Sequence, residues 1–356
     1  MRVLFIGGTG TISTAITRSI LKAAACHDTI GVNAFADCEL YLLNRGNRNI
    51  ADERLEGYKQ IVCDINDEAA AQKALEGLTF DVVCDFIIFS LEQAKRDYRL
   101  FKDRTKQFMY ISSASAYQKP VGDYRITEGT PLANPYWEYS RNKILCEEFF
   151  MEKYRSEGFP ITIIRPSHTY DERSVPLGVH GNKGSWSVIK RIKEGKTVMI
   201  HGDGTSLWTL THNSDFAKGF MGLMGNIHAI GEAVQITSDE SVTWNQVYEA
   251  IAKALGVELH AIHVSSEFLA ACGDETYDFT GSLIGDKANS VVFVNSKLKR
   301  LVPGFCATVR ADEGIANSIR YILAHPECQQ DDPDFDAFTD RVIAAREKAI
   351  AAIGRA

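Results

Sequence analysis

The chain has 356 residues, 45% of them hydrophobic and 24% charged. At about 100–200 residues per domain this allows two domains and a core that needs no disulfide or metal staple. With 39 Lys+Arg against 46 Asp+Glu the net charge is -7, which argues against a broadly basic nucleic-acid surface or an anionic-membrane surface.

Eight cysteines, at 26, 38, 63, 84, 146, 272, 306 and 328, form no C-x-x-C pair, and several sit in apolar runs, as free thiols do in a reducing compartment. The opening apolar run, residues 3–6, is too short for a signal peptide, and no run approaches about 18 residues. A cytoplasmic protein with no membrane or nucleic-acid partner is expected.

Short apolar runs at 3–6, 40–43, 60–63, 81–84, 107–111 and 161–164 predict strands. Helical periodicity at 12–25, 68–75, 91–101 and 136–154 falls between them. This rhythm predicts an α/β fold, a doubly wound parallel sheet covered on both faces. Residues 26–38 form a long link that reads as a surface loop.

Beyond Arg165-Pro166 the pattern predicts a helix at 186–193, a strand at 198–200 and a turn at 201–204. A helix at 215–223, a strand at 233–237 and a helix at 244–255, capped by Ser241 or Thr243, follow. The expected division is a Rossmann nucleotide-binding domain of residues 1–166 plus about 205–240 and a smaller substrate domain of about 167–204 plus 241–330. Residues 331–356 read as a terminal helix, docked or dimer-forming, with an imperfect stripe of Phe338, Val342, Ile343, Ile350 and Ile353, or alternatively as a frayed tail.

Directly after the first strand stands Gly7-Gly8-Thr9-Gly10-Thr11-Ile12-Ser13. Glycines there let the backbone turn tightly and approach a pyrophosphate at the start of a helix. The second strand ends Leu43-Asn44-Arg45, with Arg48 beyond. An NAD-selective site would place an acid here for the ribose hydroxyls, whereas a guanidinium suits a 2′-phosphate. NADP(H) is therefore favoured, with NAD(H) as the alternative. Asp64, after the third strand, is placed to meet the adenine amino group or simply to cap the strand end.

Tyr139 and Lys143 stand i,i+4 on one helix face. An adjacent cation favours the phenolate, so the pair is expected to act as acid or base nearer neutral pH. The predicted fifth strand stops at Ser112-Ser113-Ala114-Ser115-Ala116-Tyr117, and in such a sheet the strand ends face the ligand crevice.

With these features in this order, the sequence resembles the short-chain dehydrogenase/reductase superfamily, in particular its extended and atypical members, the NAD-dependent epimerase/dehydratase family. The likeness runs through about residues 1–320 and takes in Arg165-Pro166-Ser167-His168-Thr169-Tyr170, Gly202-Asp203-Gly204 and Asp215-Phe216-Ala217. It implies Ser113, Tyr139 and Lys143 as catalytic residues. Tyr139 would exchange the substrate proton, Ser113 would hydrogen-bond the reacting oxygen and Lys143 would hold the nicotinamide ribose. The implied cofactor lining is Gly7, Gly10, Thr11, Ile12, Asn44, Arg45, Arg48, Asp64, Ile65, Phe86, Tyr139, Lys143, Pro166 and His168. A homodimer seamed along the helix at 136–154 is also implied.

Three departures bear on the substrate. Ser13 replaces the fingerprint's third glycine, so slightly altered packing is expected. Trp208 stands where relatives acting on nucleotide sugars carry a diphosphate-clamping Arg. Ala114-Ser115 replaces the Asp-Glu of sugar-nucleotide dehydratases. Plain alcohol/ketone redox on a small substrate, sugar-like or ring-bearing, needs only the residues present. Epimerisation through a transient ketone is the first alternative, and a non-catalytic cofactor-sensing or RNA-associated protein the second. Tyr117, Trp137, Tyr170, Trp186 and Trp208 are candidates to line the substrate pocket. His168 and His212 are candidates for substrate binding, proton relay or packing. The closest histidine pair, His260 and His263, has no acid or thiol spaced to complete a ligand set, and no metal is expected.

Overall fold

An apolar run can be buried on both sides only in a sheet covered by helices; seven strands assemble into such a sheet, six of them largely buried and the edge strand Lys59–Val62 mostly exposed. In the computed structural model, which describes residues 1–25, 35–46, 56–273 and 276–354, they are β1 (Arg2–Ile6), β2 (Glu39–Asn44), β3 (Lys59–Val62), β4 (Val82–Asp85), β5 (Phe108–Ile111), β6 (Ile161–Pro166) and β7 (Ala233–Ile236). They pair in parallel in the order β7-β6-β5-β4-β1-β2-β3. The chain reverses direction across the sheet between β1 and β4, and the carboxyl ends of those two strands open the crevice where such sheets bind ligands.

Alternation within β1 divides the two cores. Val3 and Phe5 pack with Ile16 and Ile20 of helix α1 (Ser13–Ala25) and with Phe216 and Phe220 of the helix Asn213–Leu223. Leu4 and Ile6 face the other side, with Leu100 and Phe101 of α2 (Leu91–Phe101) and Cys146 and Phe150 of α3 (Glu138–Glu157). A capping box of Ser90 and Gln93 starts α2, and Gly158, at φ 72°, ends α3.

A third core lies beyond the sheet. Tyr170, Trp186, Trp208 and Trp244 pack there with Ile315 and Ile319 of the helix Ala311–Ala324. Thr243, not Ser241, caps Trp244–Leu255, through a capping box with Gln246. The terminal helix Pro333–Ala352 buries Phe335, Phe338 and Val342, whereas Ile350 and Ile353 near its end are exposed. The small parallel pairs His168–Tyr170 with Leu210–His212 and Val198–His201 with Ala261–Val264 were not anticipated, nor was the π-helical Thr280–Lys287. Of the expected loop at 26–38, residues 26–34 lie outside the described residues, as does Arg48.

Candidate active site

Gly7 sits at φ +82°, and a Cβ on it would fall 2.7 Å from Ile87 Cγ2, so a side chain here means both backbone strain and a clash. The loop it opens is tied from within. Ser13 Oγ donates to the Gly7 carbonyl (2.7 Å) and accepts from the Gly10 amide (2.9 Å), while Thr14 and Thr17 hydroxyls donate to the Gly10 and Gly8 carbonyls. Ser13 thus fastens the turn, which goes further than the altered packing expected of a missing glycine. Among the described residues the amides of Thr11 and Ile12 donate to no protein acceptor, which suits an anion at the start of α1. Gly7→Ala is expected to cost about 1–3 kcal/mol, read as a lower thermal midpoint, with weaker dinucleotide binding in the same protein.

The turn borders a cavity of about 650 Å³ that follows the strand ends. Gly7, Gly10, Thr11, Ile12, Asn44, Arg45, Asp64, Ile65, Phe86, Ser113, Tyr139, Lys143, Pro166 and His168 all line it. Asn44 Oδ1 accepts from the Gly46 amide (2.8 Å), and Arg45 stands exposed beside it. Asp64 Oδ1 accepts from the Asn66 amide (2.9 Å), so part of this carboxylate serves its own turn.

At the far end of the cavity α3 carries Tyr139 and Lys143. The Lys143 Nζ donates to the carbonyls of Ile88 (2.6 Å), in the loop after β4, and Ile111 (2.8 Å), at the end of β5, and lies 5.6 Å from the Tyr139 ring centre. Burial brings the ammonium down to about 8, which leaves it charged at neutral pH. Ser113 follows β5. It caps the short turn Ala114–Ala116 through the Ser115 amide and meets Ser115 Oγ at 2.9 Å.

Burial pushes the Tyr139 phenol up to about 12, with the Ser113 hydroxyl pulling against it. This corrects the expectation of a phenol lowered toward neutrality by Lys143. The ammonium is engaged by two carbonyls, and the loss of solvent outweighs it. Burial also takes His168 down to about 3, so its imidazole is neutral at physiological pH. His212 caps Asn213–Leu223 through Ser214 and lines neither cavity.

A second cavity of about 250 Å³ adjoins the first. The two share Ser113, Tyr139, Pro166, Ser167 and His168. Of the substrate candidates, Tyr117, Trp137 and Trp208 line the second cavity. Tyr170 and Trp186 do not. Tyr170 packs on Gly314, whose absent Cβ makes room for its ring, and Trp186 packs in the third core with its Nε1 donating to the exposed Asp331 (3.1 Å).

A family model described as the NAD-dependent epimerase/dehydratase family matches residues 3–237, more than half of the chain. The chain belongs to this family. It is an NAD(P)-dependent oxidoreductase or epimerase of the short-chain dehydrogenase/reductase type. It is 25% identical to a 2′-dehydrokanamycin reductase of Streptomyces kanamyceticus over 272 residues, 76% of this chain and 71% of that one. It is 24% identical to a protein of Bacillus subtilis (strain 168) named uncharacterized UDP-glucose epimerase YtcB, over 90% of this chain and 98% of that one. Its fold matches UDP-glucose 4-epimerase from Bifidobacterium longum, solved with NAD+ and UDP, at a TM-score of 0.70 and 19% identity, covering 92% and 100% of the two chains.

Two features of this family member escaped the sequence reading. Beneath the site, Glu147 on α3 receives Arg165 Nε and Nη2 (3.0 and 2.5 Å) and the Ser112 hydroxyl, all buried. Its signal was the run Tyr139, Lys143, Glu147 at i, i+4, i+8 on one face. The second feature is the set of charged residues in the second cavity, Lys119, Asp286 and Lys287. Among the described residues no helix is long and apolar enough to cross a membrane.

Proposed function

We propose that this protein interconverts a secondary alcohol and a ketone on a small, ring-bearing substrate, with NADP(H) preferred over NAD(H). The observation that carries the proposal is the meeting of Ser113 and Tyr139 at the junction of the two cavities, with Lys143 behind them. The lining of the larger cavity, from the Gly7–Ser13 turn to Pro166 and His168, would hold a dinucleotide, which would supply or accept the hydride at that junction. Tyr139 then gives its phenolic proton to the ketone oxygen in reduction and takes it back in oxidation, while the Ser113 hydroxyl donates a hydrogen bond to the same oxygen. Lys143, held by two carbonyls, keeps one N–H for a ribose hydroxyl. Pro166 and His168 restrict which ring face is presented.

Arg45 supports the cofactor choice, since it stands exposed at the rim where a 2′-phosphate would lie. Arg45→Asp is expected to raise KM for NADPH about 10- to 100-fold and to change KM for NADH much less. Equal effects on the two cofactors would remove the phosphate assignment.

Epimerisation is the second reading, favoured by a likeness that spans 98% of a chain named as an epimerase. Nicotinamide absorbance separates the two. A reductase changes it in step with product, whereas an epimerase inverts the carbinol carbon with no net change.

A further inference from the structure

The second cavity holds more charge than the fold uses. Lys119 and Lys287 are 4% and 9% exposed, yet among the described residues neither ammonium has a hydrogen-bond acceptor or an ion-pair partner. The Asp286 carboxylate, in the same lining, likewise accepts from no protein donor among the described residues. Trp208 Nε1 is buried without an acceptor.

The frames of these residues are nonetheless held firmly. The Lys287 carbonyl accepts from His201 Nε2 and Trp244 Nε1, both at 3.1 Å, and the Lys119 amide donates to Ala133 at 2.7 Å. Asn134 Nδ2 bridges the carbonyls of Ser115 and Gly285, at 2.8 and 2.7 Å, so the loop beside Ser113 is tied to the segment bearing Asp286. Burial draws both ammonium groups down and pushes the Asp286 carboxyl up. These charges offset one another at a distance, and Lys287 lies 6.0 Å from the Trp137 ring centre, but buried charges without direct hydrogen bonds are costly, and here they converge on a space that also holds Ser113 and Tyr139.

We infer that the substrate is a single-ring hydroxy acid, or its ketone, whose carboxylate is held between Lys119 and Lys287 with the Trp208 N–H as a further donor, and one of whose hydroxyls donates to Asp286. The inference rests on the alcohol/ketone chemistry proposed above and adds the substrate's charge class. Two ammonium groups and one carboxylate leave one positive charge, which a carboxylate neutralises. A phosphate monoester, at about -1.5 to -2, would leave excess negative charge beside Asp286. An amine-bearing substrate would set ammonium against ammonium. The volume of about 250 Å³ lies below the roughly 300–1,000 Å³ of pockets for drug-sized ligands, which fits one ring and not a nucleoside diphosphate sugar.

The test compares ligands of one shape and different charge: monosaccharide uronates (gluco, galacto and manno), the neutral aldoses, and the aldose 6-phosphates. Binding in the presence of NADP+ is read by calorimetry and by the thermal midpoint, and turnover by nicotinamide absorbance. At least one uronate is expected to bind about 10- to 100-fold more tightly than its aldose and its phosphate. Lys119→Met and Lys287→Met should each remove most of that preference while leaving the dissociation constant for NADPH unchanged, and Lys287→Arg should restore part of it. If one Met variant does not fold, the other and Lys287→Arg decide.

Equal binding of uronate and aldose, preference for the phosphate, or a uronate preference that survives both Met variants would overturn the inference. Lysine-dependent uronate binding with no turnover would instead overturn the proposed reaction and leave the carboxylate site standing.

Discussion

Tyr139→Phe is expected to fold normally, to bind the dinucleotide as before and to lose about 100- to 10,000-fold in kcat. The fold should survive because the ring, not the hydroxyl, makes the packing contacts, with Trp137 at 5.0 Å and Phe89 at 6.5 Å between ring centres. The loss follows from removing the one group at the junction of the cavities placed to move the substrate proton.

Direction and pH follow from the same residue. With its phenol pushed up to about 12, Tyr139 is protonated throughout the neutral range, the form that reduces a ketone. Alcohol oxidation needs the phenolate, so its kcat/KM should climb as pH rises toward 12. Reduction should be flat through neutrality and decline above about 8 as Lys143 loses its charge. Profiles measured in both directions check this. An oxidation rate that is level from neutral to alkaline pH would place the proton transfer elsewhere.

Glu147→Gln is expected to destabilise the protein by about 3–5 kcal/mol, because it leaves the Arg165 guanidinium charged and buried without its partner. The side chains are only 3% and 5% exposed, so water does little to compensate. Removing both charges in a Glu147→Leu, Arg165→Met protein should recover much of the loss, since well-packed apolar groups often replace a buried pair at little cost. Denaturant unfolding of Glu147→Leu, Arg165→Met and the double variant closes the cycle. A loss below about 1 kcal/mol for Glu147→Gln would mean that the pair is not buried as described. Glu147 also accepts from Ser112, the neighbour of Ser113, so kcat should fall in the single variant even where it remains folded.

The parallel sheet was legible because all its strands except the exposed edge strand β3 are buried on both faces, and such strands appear as unbroken apolar runs between helical repeats. Each of the six strands expected before residue 166 is present, shifted at its ends by no more than a residue or two. The glycine turn and the strand-end serine were equally plain, because local backbone geometry dictates them.

What stayed hidden depends on contacts distant in sequence. Tyr170 and Trp186 lie in the core, Trp137 lines the pocket and Trp208 belongs to both, and aromatic residues in loops and short helices have the same sequence signature in either setting. Lys119, Asp286 and Lys287 come from a loop and a π-helical turn more than 150 residues apart, with no periodicity to join them. The direction of the Tyr139 shift depended on burial, which an i,i+4 spacing does not report.

The most direct measurement is a crystal structure of the protein with NADP+ bound. The nicotinamide ring is expected at the meeting of the two cavities, facing the Tyr139 and Ser113 hydroxyls, bordered by Pro166 and His168, with Lys143 on its ribose and the pyrophosphate on the amides after Gly10. A ring bound away from Tyr139, or a Tyr139 hydroxyl turned from the ring into the core, would contradict the account.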